Sequence, residues 1–233
     1  MNSSTPKDAC QSKNTASKKY NAAITIADLT RQEVFDPNVL HLLTYSRPAS
    51  TCEGFESGKL ANMSSCFPHT VLGRLWKSTE YLYLCGEWSN DTAEHLAIQQ
   101  DVLTATSGYA AKRYKKSKHK KKIRTDFTSF RHDWMLWCVW QKCLHSKDFA
   151  ALLRSVPDDV VIVEVVKRDP VWAAYPDPST DSGPAQGIIR GGNAMGKILT
   201  ICRRHLIEGT EPAINRQLLN DAGIYILGSR VVF

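Results

Sequence analysis

Two stretches of this sequence hold residues whose types and spacing could do chemistry. The first, Gly191-Gly192-Asn193-Ala194-Met195-Gly196-Lys197, reproduces the Gly-x-x-x-x-Gly-Lys part of a phosphate-binding loop. Ile198 follows, where such a loop places the Ser or Thr hydroxyl that holds magnesium, so nucleoside triphosphate hydrolysis is not expected. The glycines could still let backbone approach a ligand, and N–H groups opening a following helix could bind an anion. The plain alternative is a turn with Asn193 as a cap. The second is a set of acids beside aromatics: Glu80 near Trp76, Glu164 inside an apolar run, and Asp169 three residues before Trp172. A carboxylate flanked by Val163 and Val165 must face solvent or be paired, because burying an unpaired charge is costly. Asp169 before Pro170 is an ordinary turn pair.

Charge points to one segment. The 233 residues carry 30 Lys and Arg against 23 Asp and Glu, a formal charge of +7. Nine of the basic residues (Lys112, Arg113, Lys115, Lys116, Lys118, Lys120, Lys121, Lys122 and Arg124) lie in residues 112–124, which contain no acid. Without them 21 basic residues face 23 acidic ones, so the remainder is slightly acidic. Three readings of the segment stand: a solvated loop, a nuclear-localisation patch in a eukaryotic source, or a rim that attracts phosphate or nucleic acid.

No apolar run is long enough to span a membrane, and residues 1–20 lack the apolar core of a secretory signal. A cytoplasmic setting is expected, or a nuclear one if the source is eukaryotic. The seven cysteines are odd in number and never spaced Cys-x-x-Cys, which predicts buried or free thiols and no metal site.

The elements that must position these residues are legible in outline. Residues 1–22 are polar and read as a flexible tail. Residues 39–45 suit a buried strand and residues 47–59, with Pro48, Gly54 and Gly58, a loop. Ser78 is placed to cap a helix from about Thr79, with Glu80 in its first turn, where the helix dipole favours a carboxylate. Phe127, Phe130, Trp134, Trp137 and Cys138 recur at helical spacing, and the simplest use of that stripe is core packing. A short helix over 148–154, a strand over 160–166, a loop to Gly187, an amphipathic helix over 195–206, a helix near 212–220 and a strand over 224–227 complete the reading. Helices and strands mix without strict alternation. The expected fold is α+β: one predominantly helical domain over 23–206 with a small sheet, followed by a C-terminal extension, 207–233.

Five short motifs occur in an order and near-spacing that resembles the NADAR family: Asn62 in Leu60-Ala61-Asn62-Met63, Trp76-Lys77-Ser78-Thr79-Glu80, Arg124-Thr125-Asp126-Phe127, Glu164 followed by Asp169-x-x-Trp172, and Gly192-Asn193-Ala194-Met195-Gly196. The resemblance covers residues 40–206. It implies an N-glycosidase that hydrolyses the C1′–N bond of an N-ribosyl substrate, either an early riboflavin-pathway ribosylamino-pyrimidine phosphate or ADP-ribosylated guanine in nucleic acid. The alternative is a catalytically inactive module that binds ADP-ribose or a nucleotide.

By position, the resemblance makes Glu80 the catalytic carboxylate, with Tyr81 in place of the family's histidine and Glu87 in place of a lysine. Phe127 replaces a ligand-stacking tryptophan, and Ala173 replaces the glycine after Trp172. Asp169 is expected to position water or a ribose hydroxyl. Asn62, Trp76, Arg124, Phe127, Trp172, Asn193 and Gly196 form the expected ligand-binding set, and no cofactor is implied. The implied partners are a phosphorylated N-riboside or ADP-ribose-type molecule, together with nucleic acid through residues 112–124, which should border the ligand cleft.

Overall fold

The computed structural model describes residues 6–46, 50–167, 169–176 and 187–233. In chain order its elements begin α1 (Pro6–Ala23), β1 (Glu33–Phe35), β2 (Leu42–Tyr45), β3 (His69–Val71), β4 (Arg74–Trp76), α2 (Thr79–Glu87) and α3 (Ala93–Leu103). They continue with α4 (Gly108–Ala110), α5 (Lys116–His119), α6 (Phe127–His145), α7 (Lys147–Ser155), β5 (Val161–Glu164), β6 (Ala174–Pro176) and β7 (Ile189–Gly191). The last are α8 (Ala194–Glu208), α9 (Arg216–Asp221), β8 (Tyr225–Ile226) and β9 (Ser229–Arg230). The fold is α+β and mostly helical. Its strands form several small sheets rather than a single one.

The chain divides into two compact units, residues 1–61 with 151–210 and residues 62–150 with 211–233. In the first, β2 and β5 pair in parallel, Leu42 opposite Val161 and Tyr45 opposite Glu164, while β1, β7 and β6 form an antiparallel sheet. Phe35, Val161, Val163, Ala174 and Ile189 meet in its core. Helix α8 lies against β5 at Gly196, where a Cβ would fall inside contact distance of the Ile162 carbonyl oxygen. Only glycine permits that approach. Lys197, the lysine of the phosphate-loop-like run, is 1% exposed and donates to the carbonyls of Asp28 and Arg31 at 2.9 and 2.8 Å. It ties down the end of a 3-10 turn and leaves that run no lysine for a phosphate.

Residues 6–22 are not the flexible tail expected from composition, since they form most of α1. Polar contacts hold this helix where apolar burial is sparse. Ser17 is buried and its hydroxyl accepts the His41 N–H at 2.9 Å, Asn21 donates to the Val160 carbonyl at 2.7 Å, and Tyr20 bonds Glu33. Residues 1–5, Pro48 and most of the loop before Gly187 lie outside the described residues. The strand expected over 160–166 is confined to Val161–Glu164, and that over 39–45 to Leu42–Tyr45.

In the second unit, the stripe on α6 packs as its period predicts. Trp134 and Trp137 stack with ring centroids 5.0 Å apart, and the Trp134 indole donates to the Tyr83 carbonyl at 3.0 Å. Gly86 lets α2 approach that indole, because a Cβ there would overlap it. Strands β3 and β4 form a hairpin whose two-residue turn, Leu72-Gly73, has positive φ at both positions (55° and 69°), the geometry that matches strand twist. Residues 211–233, most of the expected extension, belong to this unit. Helix α3 was absent from the sequence reading. Its inward face is partly polar: Gln99 is buried and donates to the carbonyls of Cys85, Trp88 and Tyr225.

Candidate active site

Glu80 stands in the first turn of α2 and is 3% exposed. Asn62 fixes it from a distant point in the chain. The Asn62 Nδ2 donates to Glu80 Oε2 at 2.8 Å, and the Asn62 carbonyl accepts the Glu80 N–H at 3.1 Å. The helix N-terminus also favours a negative charge at this position. Ser78 has the extended backbone of an N-cap, yet its side chain makes no capping bond, contrary to expectation. Its hydroxyl, the Thr79 hydroxyl and the side-chain Oδ1 of Asn62 are all buried and make no hydrogen bond within the protein. Buried polar atoms nearly always find partners, so three of them, on the residue that clasps Glu80 and on the two that precede it, are candidates to hydrogen-bond something else. The sequence reading missed Ser78 and Thr79 in this role, because a serine before a helix reads first as a cap.

Seven residues further along α2, Glu87 is also buried, at 1% exposed. Burial pushes its carboxyl up from the usual range, and an ion pair with Lys116 opposes that shift. Glu87 thus meets a lysine from the basic segment.

Other expected ligand contacts in this unit are engaged in the fold. Trp76 is buried, with its indole donating to the Val71 carbonyl at 2.9 Å. Arg124 is 7% exposed and makes a bidentate pair with Asp126 (Nε–Oδ1 and Nη2–Oδ2, both 2.7 Å), which holds the Asp126 carboxyl below its ordinary value. The Arg124 guanidinium also donates to the Ser89 hydroxyl and the Ala222 carbonyl. Phe127 is buried between Tyr83 and Phe130, with centroids 5.7 and 5.3 Å away. Tyr81 donates its hydroxyl to the Ala105 carbonyl at 2.8 Å.

In the other unit, Asp169 Oδ1 accepts the Trp172 N–H at 3.2 Å, and both residues are half-buried. Asn193 is fully buried in the left-handed conformation, φ 46°. Its Nδ2 donates to the Ile162 carbonyl at 2.8 Å and its Oδ1 accepts the Glu164 N–H at 3.0 Å, so the amide imitates a strand partner along β5. With Gly196 it forms an Asn-x-x-Gly clamp of α8 on β5. Expected to serve a ligand, this pair has a structural task that its spacing alone did not disclose.

The basic segment is largely helical, and five of its nine basic residues (Lys115, Lys116, Lys118, Lys122 and Arg124) pair with four carboxylates, which leaves it positively charged. A single carboxylate, Asp101 of α3, receives Lys115 at 2.7 Å, Lys118 at 2.9 Å and His119 at 2.8 Å, and these bonds hold it well below the carboxylate range. Lys122 pairs with Glu94 and Lys116 with Glu87. Among the described residues no helix is long and apolar enough to cross a membrane, and no three His, Cys, Asp or Glu side chains gather as metal ligands.

The sequence matches no family model and no curated protein. The fold is similar to that of the E. coli protein YbiA, determined by NMR: TM-score 0.53, 18% identity, over 72% of this chain and 86% of that one.

Proposed function

We propose that this protein is an N-glycosidase of the NADAR type, hydrolysing the C1′–N bond of an N-ribosyl substrate with Glu80 as the catalytic carboxylate. The observation that carries the reading is the buried Glu80 clasped by Asn62, with the hydroxyls of the adjoining Ser78 and Thr79 and the side-chain Oδ1 of Asn62 buried without partners in the protein. The YbiA-like fold is compatible with it. N-glycoside cleavage leaves positive charge on the ribose as the base departs. A fixed carboxylate stabilises that charge and takes the proton of the water that adds at C1′, while the leaving base takes up a proton on nitrogen. Polar groups beside the carboxylate suit sugar hydroxyls. Asp169 and Trp172 belong to the proposal through the family resemblance alone, Asp169 positioning water or a ribose hydroxyl and Trp172 stacking on the base.

The proposed substrates are a ribosylamino-pyrimidine phosphate of the riboflavin pathway and ADP-ribosylated guanine. Incubating the protein separately with each and looking for released base or sugar tests the reading. A second reading, a module that binds ADP-ribose or a nucleotide without cleaving it, is favoured by the engagement of Arg124 and Phe127 within the fold. Measurable ADP-ribose binding with cleavage of neither substrate would establish that alternative.

A further inference from the structure

Away from its ion pairs, the exposed surface of the basic segment carries aromatic side chains as well as charge. The run is helical from Gly108 to Lys122: α4, then a π turn over Ala111–Lys115, then α5, then a 3-10 turn over Lys120–Lys122. Isolated π turns are uncommon and gather at functional sites. This one contains Tyr114 and begins two residues after Tyr109; the two tyrosines are 61% and 56% exposed. Every other aromatic side chain among the described residues is buried or half-buried. The Arg113 guanidinium lies 5.9 Å from the Tyr109 ring centroid and 5.5 Å from that of Tyr114, and its Nη1 donates to the Tyr109 hydroxyl at 3.1 Å. Arg113, Lys120 and Lys121 are exposed and pair with no carboxylate among the described residues. A single exposed tyrosine is ordinary surface. Two at one tip, with a cation between them and two free lysines further along the same helical run, combine the parts of a surface that stacks bases and follows a phosphate chain.

We infer that Tyr109, Arg113 and Tyr114 form a base-stacking platform for single-stranded nucleic acid, with Lys120 and Lys121 meeting its phosphates. A single strand is the fitting partner because its base faces are open to stacking, whereas those of a duplex are covered by their neighbours.

The test is fluorescence anisotropy with a labelled mixed-sequence oligonucleotide of about 16 nucleotides, offered as single-stranded DNA, single-stranded RNA and duplex DNA. The wild-type protein should bind a single strand more tightly than the duplex, the DNA and RNA arms deciding which sugar is preferred. Tyr109→Ala and Tyr114→Ala should each weaken single-strand binding about tenfold, while Tyr109→Phe and Tyr114→Phe retain it. Lys120→Gln with Lys121→Gln should lower the salt-dependence slope by about 1.4. Both tyrosines are exposed, so the alanine variants should unfold at the wild-type urea midpoint. No single-strand binding, equal affinity for duplex, or unchanged affinity when Tyr109→Ala and Tyr114→Ala are combined would overturn the inference. Binding is read without turnover, so the outcome is independent of the glycosidase reading.

Discussion

Asn62 grips Glu80 twice, its side-chain amide on the carboxylate at 2.8 Å and its backbone carbonyl on the Glu80 N–H at 3.1 Å. One residue thereby sets the position of the α2 N-terminus and the orientation of the carboxylate it carries. On the proposed glycosidase reading, that clasp gives the carboxylate one defined place from which to act on a bound sugar.

Asn62→Ala removes the side-chain donor and keeps the backbone bond. A hydrogen bond to a charged group contributes about 1.5–3 kcal/mol, and the denaturation midpoint in urea should fall accordingly. Turnover of a cleaved N-riboside should fall as well, because the carboxylate loses its orientation. A variant with wild-type stability and wild-type turnover would mean the clasp is incidental.

The Glu87–Lys116 pair should respond unequally to the loss of each partner. The Lys116 side chain is 34% exposed and that of Glu87 only 1%. Lys116→Gln leaves a buried carboxylate unpaired and should lose about 3 kcal/mol in chemical denaturation. Glu87→Gln leaves a lysine that can turn to water and should lose clearly less. Equal losses from the two substitutions would argue against burial as the governing term.

Lys142 gives a pH signature. It is 1% exposed, its Nζ lies 3.9 Å from the Phe149 ring centroid and 5.6 Å from that of Phe67, and burial pulls its pKa from 10.5 down to about 8. The unfolded chain holds this proton up to the ordinary lysine pKa, whereas the folded chain releases it above about 8. Folding is therefore opposed by this group below about pH 8, and stability should rise as pH increases from there to 10.5. Across the window the gain amounts to about 3 kcal/mol. Urea midpoints of wild type and Lys142→Met over this range should converge as pH rises, with the variant more stable at neutral pH. Parallel curves would contradict the assignment.

Asn193 and Gly196 should behave as structural residues. Asn193→Ala strands the Ile162 carbonyl and the Glu164 N–H and places alanine at a left-handed φ, which together should cost about 2–4 kcal/mol. Gly196→Ala forces α8 away from β5 and should cost about 1–3 kcal/mol or more. Loss of activity in Asn193→Ala at undiminished stability would instead return this residue to the ligand.

How far the sequence disclosed these features follows from the range of the interactions involved. Helix α6 was legible because its packing is written in a local period, and the start of α2 because Ser78-Thr79-Glu80 signals a helix within a few residues. Helix α1 was not, since Ser17, Tyr20 and Asn21 hold it through polar contacts to residues up to 139 positions away. Helix α3 was missed for a related reason: Gln99, a polar residue, faces inward to bind three carbonyls. Glu80 was reached through its motif, but the clasp by Asn62 spans 18 residues and no spacing rule foretells it. The charge of residues 112–124 was plain, and the pairing of four of its lysines with Asp101, Glu94 and Glu87 was not, because those acids belong to helices earlier in the chain.

The most direct test of the central claim is single-turnover cleavage of a responsive N-riboside by wild type and Glu80→Gln, two side chains of nearly equal shape. Loss of the carboxylate should slow release of the base by about 10²–10⁴ while the protein keeps its fold and its affinity for the substrate. Near wild-type cleavage by Glu80→Gln on every N-riboside that the protein cleaves would contradict the account.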